Sequence, residues 1–273
     1  MGAELIRIVS DVHYADRSSR VRSLEQLRPL FDGATSMVFN GDTIDTRPSR
    51  NEARTARLRA EIKDFIASAG MPVSLLTGNH DPDLSPLHSL ELAKGRVLVV
   101  HGDVLFDNIV PWSSQAPMIR AKVIAALSAL PEGESSSFEG RTSAFRSVSA
   151  SLPQTHQAER NPIKYALGLA GDTVWPPHRA FAMLQAWNQT PARAAAFAKR
   201  HRPKARFIVI GHTHRPGTWK TPSGVVVINT GTFCKPFGAM SADITADCVR
   251  VHRLISRKGR FHLGAPVAEF PLL

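Results

Sequence analysis

Cysteine is nearly absent from this sequence: Cys234 and Cys248 are the two in 273 residues, and they form no CxxC pair. That excludes a disulfide framework and a thiolate zinc site, and fits a reducing compartment. Long apolar runs are missing as well. No window reaches the roughly 18 apolar residues that a membrane span needs. The opening residues MGAELIRIVSDVH pass straight into a strand pattern without the apolar segment of a secretory signal. The expectation is a cytoplasmic protein, peripheral to a membrane at most. Acidic residues are scarce, with 23 Asp+Glu against 34 Lys+Arg and a net charge of +11. Such a surplus favours anionic partners, whether phosphate esters, nucleic acid or an anionic lipid surface. Much of it is local, since residues 112–206 hold 13 Lys/Arg against 5 Asp/Glu. That segment does not interleave aromatic with basic residues in the way single-strand binding uses, which makes nucleic acid the weaker partner. Apolar residues are plentiful: 43% hydrophobic with 21% charged describes a globular chain of one or two domains rather than a disordered one.

The apolar runs are short, and five of them end in the same way. A predicted strand over residues 5–9 delivers Asp11 and His13, which point the same way if the chain there is extended. A strand over 37–40 runs into Gly41-Asp42-Thr43-Ile44-Asp45, and one over 73–76 into Gly78-Asn79-His80-Asp81. A strand over 96–100 delivers His101-Gly102-Asp103, and one over 207–210 leads to Gly211-His212-Thr213-His214. Helical periodicity fills the gaps near 21–31 and 49–68. Polar groups at successive strand ends are what an open α/β sheet places in its binding crevice. A further strand is predicted at 225–229. The tail reads as a hairpin over 249–255 and 261–263, turning at Lys258-Gly259. Between 112 and 204 the pattern is helical, near 118–130, 140–150, 161–170 and 177–200. The last of these is broken by Pro191, and no strand is convincing in the region. The predicted organisation is a core of residues 1–111 and 205–273, with 112–204 inserted as a helical cap.

A Gly-Asp after a strand is common, and a lone His-x-His is more often incidental than a ligand. All five motifs in this order, each at a strand end, are not what chance supplies. The chain resembles the calcineurin-like metallophosphoesterases, and the resemblance spans residues 11–214. It implies an α/β fold, a β-sandwich flanked by helices, around two divalent metal ions. Asp11, His13 and His214 would hold one ion, Asn79, His101 and His212 the other, and Asp42 would bridge them. Imidazole ligands suit manganese, iron or zinc better than magnesium, and manganese is the expected metal. The resemblance makes His80 the donor to the leaving group, with Asp81 orienting its imidazole. Asp45 and Asp103 either support metal-bound histidines or cap turns. His88, His156, His178, His201, His252 and His262 fall in no motif and are read as ordinary surface or core residues.

The HGDVLFDN stretch from His101 and the long insertion before His212 resemble the UDP-2,3-diacylglucosamine hydrolases. The insertion would then be a lid with an apolar chamber, lined by Val123, Ile124 and Leu127 and by Phe181, Leu184 and Trp187, and the split bond a pyrophosphate. The best-studied members have Arg where this chain has His80. The phosphoprotein phosphatases share GDTID and GNHD in outline but differ at Thr46 and Asp81. A nucleic-acid phosphodiesterase is a further alternative. A scaffold that keeps the fold without the chemistry would be expected to have lost ligands.

Overall fold

The structure, a computed structural model, describes residues 4–49, 51–154 and 177–272. The predicted helix over 161–170, with Trp175 and His156, lies outside them. Two sheets stack face to face. One has the order β11-β10-β9-β1-β2-β3, built from β1 (Ile6–Val9), β2 (Ser36–Asn40), β3 (Val73–Leu76), β9 (Met240–Ile244), β10 (Cys248–Arg257) and β11 (Arg260–Pro271). The other has the order β4-β5-β6-β8-β7, built from β4 (Ser89–Leu92), β5 (Val97–Val100), β6 (Phe207–Ile210), β7 (Gly217–Lys220) and β8 (Val226–Asn229).

Period-2 alternation decides which core each residue enters. Ile8, Val38, Val97, Val99, Phe207 and Val209 point between the sheets and form one core. Their chain neighbours Val9, Met37 and Phe39 face outward beneath the 3₁₀ helix Leu24–Phe31 and α1 (Glu52–Ala67). On the second sheet Leu98, Val100, Ile208 and Ile210 face outward, under α2 (Ala116–Ser128), α3 (Phe138–Ala150) and α4 (Pro177–His201). Strands buried on both faces explain why the sequence shows near-continuous apolar runs instead of alternation. The four layers match the predicted β-sandwich flanked by helices.

Three strands escaped the sequence reading, for identifiable reasons. β9 reads MSADI, and its Asp243 conceals a fully buried strand. That carboxylate forms a bidentate pair with Arg7 on β1, at 2.9 and 2.6 Å, which satisfies the buried charge. β4 and β7 are short sheet edges with weak patterning. The break expected at Pro191 does not occur, because α4 runs unbroken through it. Ala194, Ala195 and Ala198 bury there against the second sheet, and that packing outweighs the roughly 3 kcal/mol penalty of an internal proline. Lys258 and Gly259 both have positive φ, 49° and 75°, the backbone of a two-residue hairpin turn.

The topology places the five motifs together. β1, β2 and β3 are mutually parallel, and so are β5, β6 and β8, so the loops after β1, β2, β3, β5 and β6 leave one edge of the sandwich. Asn40 ties the two sheets beneath them, its Nδ2 donating to the Val100 carbonyl at 3.1 Å.

Candidate metal centre

The loops at this edge are held in conformations that side-chain-bearing residues avoid. Asp11, His13, Asp42, His212 and His214 all have positive φ, between 46° and 63°. The left-handed turn, not an extended chain, is what aims Asp11 and His13 at one point, which corrects the geometry expected from their spacing. Such strain persists only where surrounding contacts over-determine it. Here Asp11 N–H donates to Gly41 O at 3.1 Å, His13 N–H to Asp42 O at 2.9 Å, and Gly211 N–H to His101 O at 2.8 Å. Gly78 and Gly211 permit the close approach: a Cβ on Gly78 would lie 2.3 Å from Asp42 Oδ1, and one on Gly211 2.1 Å from Asp11 Oδ2.

Three overlapping groups of donor atoms result, each within a 4.8 Å span: Asp11, His13 and His214; Asp42, His101 and His212; and, between these two, His13, Asp42 and His80. In the first, Asp11 Oδ1 lies 3.2 Å from His214 Nε2, and the His13 and His214 Nε2 atoms are 3.2 Å apart. Asp42 links the groups, its Oδ2 being 3.3 Å from His101 Nε2 and 3.8 Å from His13 Nε2. Whether this donor set fits cations is decided by its unused atoms. Asn79 Oδ1 and His101 Nε2 are buried without any hydrogen-bond partner. An orphaned acceptor such as Asn79 Oδ1 costs about 1–3 kcal/mol, and a divalent ion would satisfy it together with His101 Nε2, whose one near neighbour is the Asp42 carboxylate at 3.3 Å. The imidazoles are pre-aimed: His101 Nδ1 lies 2.9 Å from Asn40 O and His212 Nε2 2.8 Å from Ile109 O, which leaves the opposite nitrogen of each ring as the ligand.

The electrostatics agree with cation binding. Burial lowers His13 to about 4, and burial together with the His101 charge lowers His212 to about 3, so both are neutral ligands at neutral pH. Burial would raise Asp42, but the charges of His101 and His80 outweigh it and hold the carboxyl well below its usual range. Burial would likewise lower His101, but the Asp42 carboxylate draws a proton onto it, and its pKa lies well above the ordinary value. A metal ion between the two would take that proton's place.

His80 and Asp81 have different neighbours from those expected. The His80 imidazole, with its side chain 30% exposed, is held by Asp45: Nδ1 lies 3.1 Å from Asp45 Oδ2. Arg47 closes the group, its guanidinium 2.7 Å from Asp45 Oδ2 and 2.9 Å from His80 Nδ1. Asp81 does not touch the ring. Its carboxylate is fully buried and accepts N–H from Gly78 at 2.7 Å, Asp42 at 2.9 Å and Thr43 at 2.6 Å. The expected orienting role of Asp81 is thus filled by Asp45, since three backbone donors already claim the Asp81 oxygens. Asp103 opens the 3₁₀ turn Asp103–Leu105, where burial raises its pKa to about 6.

Several residues of this edge left no motif in the sequence. Arg47 is one, and Gln154 is another, its Nε2 donating to the carbonyls of Asp45 and Arg47 at 3.0 and 2.9 Å. Trp187 on α4 donates to Thr213 O at 2.8 Å. His88, read as ordinary, sits 2.8 Å from Arg146 through Nε2 and also meets Thr77 Oγ1. A basic or amide side chain that bonds to loop carbonyls has no local signature. It becomes visible only when the fold brings the segments together.

Comparison with known proteins agrees with this geometry. The family model of the calcineurin-like phosphoesterases matches residues 5–216, and the chain belongs to that family. It is a metal-dependent phosphoesterase. Among solved structures it is similar to a dimetal phosphatase from Danio rerio, at 15% identity and a TM-score of 0.49 over 93% of this chain and 96% of that one. It is also similar to Vacuolar Protein Sorting 29 from Cryptosporidium parvum, at 14% identity and 0.43 over 98% of each chain. A predicted phosphoesterase from Streptococcus pneumoniae TIGR4 matches at 14% and 0.38 over 99% of each chain. No curated protein matches the sequence.

Proposed function

We propose that the two donor groups joined by Asp42 hold a pair of divalent ions, manganese first among them, and that the protein uses them to split a phosphoanhydride. The orphaned Asn79 Oδ1 carries this reading, because no protein group among the described residues answers it, while His101 Nε2 has only the Asp42 carboxylate 3.3 Å away. Such ions, when bound, polarise phosphoryl oxygens and make water nucleophilic at neutral pH. The remaining chemistry falls to the chain's own residues. Asp42 Oδ1 accepts the His80 N–H at 2.8 Å, which fixes the general-acid loop relative to the bridging carboxylate. Nδ1 of His80 is held by Asp45 and Arg47, which leaves Nε2 as the ring nitrogen to pass a proton to the departing oxygen. A non-catalytic scaffold would have no reason to keep seven strained or buried ligand positions, and none of the seven is missing.

His80→Ala should therefore leave metal content intact and slow poor leaving groups most. An alkyl phosphate is expected to lose about 10²–10⁴-fold in rate, and an aryl phosphate much less. An unchanged rate on the alkyl ester removes His80 from the mechanism.

For the substrate we favour UDP-2,3-diacylglucosamine, with the helices of 112–204 as a cap over its acyl chains, acting where an anionic membrane surface presents the lipid. Of the side chains expected to line the chamber, Val123 and Leu127 join the core beneath the helices. Ile124, Phe181 and Leu184 are left 50%, 68% and 56% exposed, apolar surface that packing among the described residues does not use. No helix among the described residues is long and apolar enough to cross a membrane, so lipid contact would be made at a surface. Incubation of the manganese-loaded protein with this substrate should release UMP. Turnover of an aryl phosphate without UMP keeps the metal centre and discards the lipid substrate in favour of another phosphoester, nucleotide or phosphoprotein.

A further inference from the structure

Arg215 follows directly on the metal-site residue His214 and is exposed. Its guanidinium lies 5.8 Å from the ring centres of both Trp187 and Trp219. These indoles come from different elements, α4 and β7. Trp187 is itself fixed, by its bond to Thr213 O and by an edge-on contact with Phe237 at 5.7 Å. Phe237 in turn packs against His214 at 6.4 Å. The cation is therefore mounted on an aromatic rim that reaches the edge of the metal centre.

What separates Arg215 from the other arginines around the site is that its donors are unused. Arg20, Arg47, Arg141, Arg146 and Arg193 all commit guanidinium N–H groups to carbonyls, carboxylates or an imidazole. Arg215 makes no hydrogen bond or ion pair among the described residues. Its two indole contacts restrict the side chain without neutralising it, because a ring face attracts the cation and leaves the in-plane N–H fork open. A planar fork so held matches the oxygens of a phosphate in bidentate fashion.

Resting on the reading of the metal centre as a phosphoester hydrolase, we propose that Arg215, held between Trp187 and Trp219, is a binding residue for a second phosphate adjacent to the reacting one. The site would thereby select diphosphates over monophosphates. The segment 112–206 showed no aromatic-basic interleaving along the chain. The fold creates it across chain segments, with one tryptophan before the His212–His214 loop and one after it.

The test measures AMP and ADP as competitive inhibitors of 4-nitrophenyl phosphate hydrolysis by the manganese-loaded protein, and their binding by tryptophan fluorescence. ADP should bind at least about tenfold better than AMP, as a charge-assisted bidentate contact warrants. Arg215→Ala should abolish that advantage, and Arg215→Lys, which keeps the charge but not the fork, should retain part of it. Equal affinities in the unaltered protein, or an ADP advantage that survives Arg215→Ala, would overturn the proposal. If neither 4-nitrophenyl phosphate nor a diphosphate is hydrolysed, it is the hydrolase reading that fails, and the fluorescence affinities still decide the role of Arg215.

Discussion

Asp42→Asn should lose nearly all turnover, by at least about a thousandfold, together with the ability to hold two ions. The substitution is close to isosteric, and the contacts of Asp42 divide between its two oxygens. Oδ1 accepts the His80 N–H at 2.8 Å, and an asparagine carbonyl can keep that bond. Oδ2 faces His101 Nε2 at 3.3 Å and His13 Nε2 at 3.8 Å, and there an amide offers N–H where an anion is required. The fold should therefore survive while the link between the two donor groups fails. Metal analysis after dialysis should find clearly fewer than two ions per chain, and circular dichroism should be unaltered. Two tightly held ions with a normal rate would show that Asp42 does not bridge.

How much of this was legible in the sequence differs between the fold and the site. The strands that carry ligands were readable because each is an apolar run followed by polar groups, with a glycine beside them in all but β1. Asp11, Asp42, Asn79, His101 and His212 are all found at one edge of the sandwich. β9 was not readable, because buried Asp243 looks like a surface residue until Arg7 is seen opposite it. Spacing indicated that Asp11 and His13 act together but gave the wrong reason, since it assumed an extended chain where φ is 51° and 46°. Local spacing was also insufficient for His80. Asp81 is its neighbour in sequence, but Asp45, thirty-five residues earlier, holds the ring. A carboxylate's partner is fixed by the loops that meet at the sheet edge, and adjacency in the chain carries little information about it. Arg47, Gln154 and Arg215 show the same rule, because each acts on a segment distant in sequence or on groups brought in by another element.

The different neighbours of Asp81 lead to the second large effect, Asp81→Ala. Were Asp81 the orienting partner of His80, its loss would reduce turnover and leave stability alone. The structure requires the opposite order of events. Removing the carboxylate strands the buried N–H groups of Gly78, Asp42 and Thr43, which have their bonds from it at 2.7, 2.9 and 2.6 Å. Each orphaned donor costs about 1–3 kcal/mol. Together they rival the roughly 5–15 kcal/mol by which a domain is stable. Burial and the nearby Asp42 charge raise the Asp81 pKa to about 7. Cations held by Asp42 would offset that charge, so metal loading should favour the ionised acceptor that the three donors need. Thermal melting should show a drop of about 10 °C or more, larger than that of Asp45→Asn, and metal affinity should fall because the same N–H groups set the loops bearing Asp42 and Asn79. Asp45→Asn should show the complementary result, a smaller loss of melting temperature with slower turnover of poor leaving groups, since the Arg47 guanidinium and the His80 ring lose their anionic partner while the three backbone donors keep theirs. If Asp81→Ala melts like the unaltered protein and loses only rate, the backbone-anchoring role is wrong and the imidazole-orienting role returns to Asp81.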